Sequence, residues 1–201
     1  MLCLGITGGI GSGKSYLSHI FTALGIPVYD ADLQAKILYN RNQGLRLSLI
    51  ELLGADIYYN GVLQREIMAE RIFSIQSLLE EVNKLVHPVV MDDFFIWKEC
   101  QKTPYVILES AIILETPFAS AIDKMLTVSA PGALRLERLC RRDVASAEDA
   151  QRRMEKQWSD EMREAKSHFV VFSDGKKPLL PQVLKIHHSM IKLNMQRGGC
   201  S

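Results

Sequence analysis

Apolar positions along the chain alternate between two rhythms. Leu2 to Thr7 is a short continuous apolar run ending in glycines, the pattern of a strand buried on both faces. From Lys14 the spacing turns helical: Leu17, Ile20, Phe21 and Leu24 fall at i, i+3, i+4 and i+7, and Gly25 supplies a stop. Ile26 to Tyr29 predicts a second strand, running into Asp30-Ala31-Asp32. Residues 33–97 carry mostly helical spacing, with Leu45, Leu49, Leu52 and Leu53 as an example. Gly54, the Asn60-Gly61 turn and Pro88 are expected to break it. Further strands are predicted at Tyr105 to Leu108, ending at Glu109, at Lys124 to Ser129 and at Phe169 to Phe172. Two charged helices are expected over 133–166, an amphipathic helix over Leu179 to Leu193, and a frayed tail from Gln196. Short apolar strands alternating with helices imply an α/β fold, a parallel five-stranded sheet with helices on both faces. Ligands of such sheets bind at the carboxyl ends of the strands.

Composition narrows this picture. The chain has 201 residues, 47% of them apolar, with 24 Lys plus Arg against 23 Asp plus Glu. A net charge of +1 gives no global reason to expect a nucleic-acid partner or a membrane surface. Apolar runs all fall short of the ~20 residues that span a bilayer. The N-terminal apolar run has no basic segment before it, so it reads as a strand rather than a secretory signal. Cys3, Cys100, Cys140 and Cys200 form no CxxC pair and read as reduced thiols of a cytoplasmic protein.

Chemistry concentrates in Gly8-Gly9-Ile10-Gly11-Ser12-Gly13-Lys14-Ser15, which satisfies GxxxxGK[ST] in full between a strand and a helix. Glycines let the backbone close around phosphates with N–H groups pointing inward. The helix that follows adds the positive end of its dipole. Lys14 supplies a charge to the β- and γ-phosphates, and the Ser15 hydroxyl can ligate Mg²⁺. ATP and Mg²⁺ are the expected cofactors, with Tyr16 at the edge of the same site. A bare glycine-rich turn remains the alternative, and a dinucleotide site would leave Lys14 without a role.

A switch GTPase would carry DxxG and NKxD; Asn83-Lys84 is followed by Leu85-Val86 and lacks the aspartate. A kinase needs a base near an acceptor hydroxyl and cations around the transferred group. Asp30 and Asp32 end the second strand on the phosphate-loop edge. Either can accept a proton or hold Mg²⁺ through water, or serve only as a turn or helix cap. Arg135, Arg138 and Arg142 share one helix face within an Arg-rich stretch. That stretch reads either as a solvated ion-pair surface or as a lid that brings guanidinium groups to the phosphates.

Taken together, Thr7 to Ser15, Asp30-Ala31-Asp32, Leu85-Val86-His87-Pro88, Arg138 to Asp143 and Arg153 to Gln157 resemble the dephospho-coenzyme A kinase family in order and spacing over roughly 1–193. The resemblance implies a P-loop kinase that moves the ATP γ-phosphoryl group to the ribose 3′-hydroxyl of dephospho-CoA. It implies a nucleotide core (1–32, 98–134 and 167–195), a helical CoA-binding insertion (33–97) and a lid (135–166) within one domain. It places the base at Asp32, the phosphate lysine at Lys14 and lid arginines at Arg142 and Arg138. It brings Arg65 and His87 near the acceptor. The expected partner is the small-molecule acceptor, with no nucleic acid or membrane, in a monomer or weak homo-oligomer. Two departures stand out. Tyr16 replaces the threonine common after the loop serine, and Glu109-Ser110-Ala111-Ile112-Ile113-Leu114-Glu115 replaces Asp-x-Pro-Leu-Leu-Phe-Glu. Glu109 is left with two readings, a carboxylate near Mg²⁺ or a strand end with local hydrogen bonds. Other small-molecule kinases, of nucleotide or shikimate type, and a nucleotide-binding interaction protein are the alternatives.

Overall fold

The first strand, β1 (Leu2–Thr7), is buried along its whole length, and the phosphate-loop segment leads from it into α1 (Lys14–Ala23). The next strand, β2 (Val28–Asp30), runs straight into α2 (Ala31–Arg41). The chain then forms α3 (Gln43–Leu53), the short strands β3 (Tyr58–Tyr59) and β4 (Val62–Leu63), α4 (Arg65–Ser74) and α5 (Gln76–Glu99). It returns through β5 (Tyr105–Glu109) and β6 (Lys124–Ser129), then α6 (Gly132–Asp143), α7 (Ala147–Glu155), α8 (Asp160–Ala165), β7 (Phe169–Phe172) and α9 (Leu179–Gly198). This computed structural model describes residues 1–143, 146–155 and 157–198, without the side chains of Phe73, Ser74, Gln76, Arg142 and Asp143.

Among the described residues the chain divides into two compact units, 1–30 with 101–201, and 31–100. The first is built on five parallel strands in the order β2-β5-β1-β6-β7. With every strand parallel, all carboxyl ends lie on one edge, and β1 delivers the phosphate loop to the middle of it. In register, Asp30 stands opposite Glu109, and Glu109 opposite Ile6. Leu4, Ile6, Ile107, Leu126 and Val171 pack against Leu17 and Phe21 of α1 and Val183 and Met190 of α9. Burial of each such side chain contributes about 1.5–3 kcal/mol, so the loop is anchored in a buried apolar core.

The unit 31–100 is helical. Asn42 caps α3, its Oδ1 accepting from Leu45 N at 2.9 Å. Asn60, at φ +48°, and Gly61 close the β3–β4 hairpin, so a turn read from the sequence turns out to join two strands that were not anticipated. The expected break at Pro88 does not occur: α5 runs through it. Val82, Val86, Val90 and Phe94 line one buried face on both sides of the proline, and that continuous face holds the helix together where one backbone hydrogen bond is lost. The stretch expected as two charged helices forms three, because Ser159 opens a new one by accepting from Met162 N. The last helix extends past Leu193 to Gly198. Among the described residues no helix is long and apolar enough to cross a membrane.

Candidate active site

The segment 8–13 wraps into a tight cradle because its glycines permit it. Gly11 sits at φ +80°, and a Cβ there would stand 2.7 Å from the Arg135 carbonyl oxygen. The cradle closes with Ser12 N donating to Gly9 O, and α1 begins with Leu17 N donating to Gly13 O. Lys14 folds back so that its Nζ donates to Gly8 O at 2.9 Å, which holds the ammonium at the mouth of the cradle. The positive end of α1 points to the same place.

Ser15 meets the neighbouring strand. Its hydroxyl donates to Glu109 Oε1 at 2.9 Å. Glu109 is buried, 5% exposed, and burial pushes its carboxyl above the usual carboxylate range. The neighbouring Ser18 and Ser15 hydroxyls pull it back, the Asp30 charge raises it, and Lys14 lowers it. With its O–H donating to Glu109, Ser15 Oγ keeps its lone pairs for a cation. No cluster of three or more His, Cys, Asp or Glu side chains suited to a metal exists among the described residues. That donor set fits Mg²⁺, which takes one or two protein oxygens and completes its shell with phosphates and water. Ser15 and Glu109 are the residues that would hold it.

Helix α6 covers the outer side of the cradle. Arg138 Nη1 donates to Gly11 O at 3.3 Å and Ser12 O at 3.1 Å, and its Nη2 to Ser173 O at 3.0 Å. Arg135 Nε donates to Ile10 O at 3.0 Å. The Ile10 N–H donates to Gln157 Oε1 at 2.8 Å, so Ile10 shapes the loop while its own donor is engaged. Two cavities adjoin. One of about 210 Å³ lies over Gly11, Gly13, Lys14 and Ser15, bounded by Arg138. A larger one of about 660 Å³ runs from Gly13 and Tyr16 past Ser173 to Lys177 and Leu179. Its size is that of an ordinary small-molecule pocket. Tyr16 borders both cavities and is 64% exposed.

The structure thus gathers the residues of 8–16 and Arg138 around one cradle. Asp32, Arg65 and His87 belong to the other unit. Asp32 lies in the first turn of α2, two residues after Asp30 closes β2. Arg65 is the exposed first residue of α4, near enough to Tyr39 for its charge to lower that phenol's pKa against the larger effect of burial. His87 is half-buried in α5, and burial lowers its pKa. The Arg142 side chain lies outside the described residues. Sequence reasoning missed the wall made by Ser173 to Lys177. Its signal was Asp174-Gly175, whose Asp174 Oδ1 accepts from Lys176 N and Lys177 N to fold the loop. It placed Arg135 on the lid face without its hold on the loop, and it missed Asp160, which no motif marked.

A lysine-bearing cradle after the middle strand of a parallel sheet, with a carboxylate from the next strand on the loop serine, defines a P-loop nucleotide-binding protein of the kinase type. Comparison with known proteins narrows the class. The family model for dephospho-CoA kinase matches residues 2–178. The dephospho-CoA kinase of Porphyromonas gingivalis is 42% identical over 187 residues, 92% of this chain and 93% of that protein. That of Bacteroides fragilis is 39% identical over 184 residues, 91% of this chain and 90% of that protein. A crystal structure of a Thermus thermophilus protein superposes with a TM-score of 0.84 at 27% identity, covering 94% of this chain and 96% of that one. The chain belongs to the dephospho-CoA kinase family.

Proposed function

We propose that the protein transfers the γ-phosphoryl group of ATP to the ribose 3′-hydroxyl of dephospho-CoA, giving coenzyme A and ADP. The observation that carries this reading is the cradle itself: Lys14, the α1 N-terminus and the Ser15–Glu109 pair converge beside a cavity of nucleoside size, in a chain of this family. Phosphoryl transfer of this kind depends on position and charge neutralisation rather than on covalent chemistry by the protein. Lys14 neutralises the β- and γ-oxygens, and Arg138 with Arg142 adds guanidinium charge from the Arg-rich stretch 135–166, which we read as a lid. Ser15 and Glu109 would hold Mg²⁺, which would neutralise the remaining negative charge of the phosphates.

The acceptor falls to the helical part, 33–97. Asp32 takes the proton of the attacking hydroxyl, Arg65 engages a phosphate of the acceptor, and His87 lies along its path. We set the reaction in the cytoplasm, where thiols such as those of Cys100 and Cys140 stay reduced. The enzyme acts alone on small molecules, as a monomer or weak homo-oligomer.

The test is incubation with MgATP and dephospho-CoA, followed by mass analysis for one added phosphate on the ribose. Product is expected with dephospho-CoA and not with shikimate or a nucleoside monophosphate. Product with either of those and none with dephospho-CoA overturns the reading. In Asp32→Asn, turnover should fall by about 10²–10⁴, the usual contribution of a positioned base, while ATP affinity stays within about threefold of wild type. Near-normal turnover in that variant removes Asp32 from its role.

A further inference from the structure

Behind the phosphate loop lies a group of charges that the transfer reaction does not employ. Arg135 is 6% exposed. Besides the Ile10 carbonyl, it reaches Asp160 Oδ2 through Nη1 at 2.7 Å. Its guanidinium lies so close to Gly9 that a Cβ there would come within 2.1 Å of Nη2. Asp160 uses its other oxygen for Arg163, whose Nη1 donates to Oδ1 at 3.2 Å. Gln157, three residues earlier, takes the Ile10 N–H. Both backbone polar groups of Ile10 are therefore held from outside the loop, one by Arg135 and one by the stretch that leads to Asp160.

An anion cradle aims successive N–H groups inward, so its carbonyls face outward. A carbonyl turned into protein without a donor is costly, and Arg135 is that donor for Ile10. The arrangement is nevertheless a poor way to gain stability. Two buried guanidiniums share one carboxylate, and Arg163 Nη2 finds no partner among the described residues. Apolar side chains of the same volume would serve a structural purpose as well or better. Glu115 adds a second negative charge near Arg163, so what is distinctive about Arg135 is its place: its guanidinium stands directly behind a loop shaped for phosphates.

We propose that Arg135, oriented by Asp160, is a positioning residue of the phosphate loop: it locks Gly9 and Ile10 in the anion-ready shape and thereby sets affinity for ATP. This rests on the loop being an ATP site and does not depend on which acceptor is used.

The experiment is calorimetric titration of MgATP into wild type, Arg135→Lys, Arg135→Ala, Asp160→Asn and the Arg135→Ala/Asp160→Asn double variant, with melting temperatures in parallel. Lysine keeps the charge but cannot hold a carbonyl and a carboxylate in one planar fork. Each single variant should weaken ATP about tenfold, the loss of one charge-assisted hydrogen bond. KM for dephospho-CoA should move less than about threefold, and the double variant should bind ATP as Arg135→Ala does, because Asp160 works through Arg135. Wild-type ATP affinity in Arg135→Lys and Asp160→Asn, with only the melting temperature lowered, overturns the proposal. So does a double variant whose losses multiply. Should the alanine and asparagine chains fail to fold, Arg135→Lys decides alone: folded with weakened ATP binding supports the proposal, and folded with wild-type ATP affinity overturns it. A wild type that binds ATP yet leaves dephospho-CoA unmodified rejects the acceptor assignment alone.

Discussion

Glu109 shows most plainly how a single residue trades stability for chemistry. It is buried at the end of β5, in register with Asp30, a second carboxylate. Burial raises its pKa, so the folded protein prefers the protonated acid more than the unfolded chain does. Below the unfolded value both states are protonated and nothing is lost. As pH rises through the unfolded and then the folded value, the ionised carboxylate becomes a net cost to the folded state. Glu109→Gln keeps the shape and the acceptor for Ser15. Scanning calorimetry should therefore find this variant more stable than wild type at pH 7.5, with the difference vanishing near pH 4, about the ordinary value for Glu. If Glu109 helps hold the metal as the proposed function has it, the transfer rate of this variant should fall at least about tenfold. A variant that melts below wild type at pH 7.5 contradicts this account. Lys14→Ala tests the other charge of the cradle: its ammonium donates to Gly8 O, and the proposed function puts the phosphates beside it. Removing a preorganised charge of this kind costs roughly 10²–10³ in turnover, measured with the fold checked by circular dichroism.

At the scale of elements, the phosphate loop and the strands that carry it were legible, because strand length, apolar continuity and glycine punctuation are local signals. β1, β6 and β7 fall where continuous apolar runs place them, and β2 and β5 end on the acids that stop their runs. The hairpin at Tyr58–Tyr59 and Val62–Leu63 was not legible. Its strands have two residues each, too short for any alternation, and they are held by side chains from elsewhere, such as Asn40 accepting from Leu63 N. Pro88 misled for a related reason: a local breaker was outweighed by a buried face that only tertiary packing reveals. The Arg135–Asp160 pair joins residues far apart in sequence, and no periodicity announces it. The glycines also supply a controlled comparison. Gly25 has φ +79° and open space within 4 Å of where a Cβ would stand, whereas Gly11 has both positive φ and a carbonyl in the way. Gly25→Ala should cost only about 1–2 kcal/mol, the penalty of left-handed backbone, in urea unfolding, with activity intact. Gly11→Ala should cost more and lose ATP binding. Equal effects would mean that conformation alone, and not the close approach of α6, requires glycine at Gly11.

For the molecule as a whole, the division into two compact units sets an expectation about how ligands act on stability. The cradle and the two cavities that adjoin it lie in 1–30 and 101–201, while Asp32, Arg65 and His87 lie in 31–100. If the nucleotide and the acceptor take separate sites, each should stabilise the native chain by its own mass action, about 2.7 kcal/mol at a hundred times its Kd. For a chain of this length that corresponds to roughly 5–10 °C in melting temperature. The two effects come apart in Lys14→Ala. That variant should lose most of the shift produced by MgATP and keep the shift produced by dephospho-CoA, since the proposed function gives the lysine to the phosphates of the nucleotide alone. Asp32→Asn should keep the MgATP shift. Dephospho-CoA shifts that disappear together with the ATP shift in Lys14→Ala would place both ligands in the cradle, and the helical part would then need another occupant.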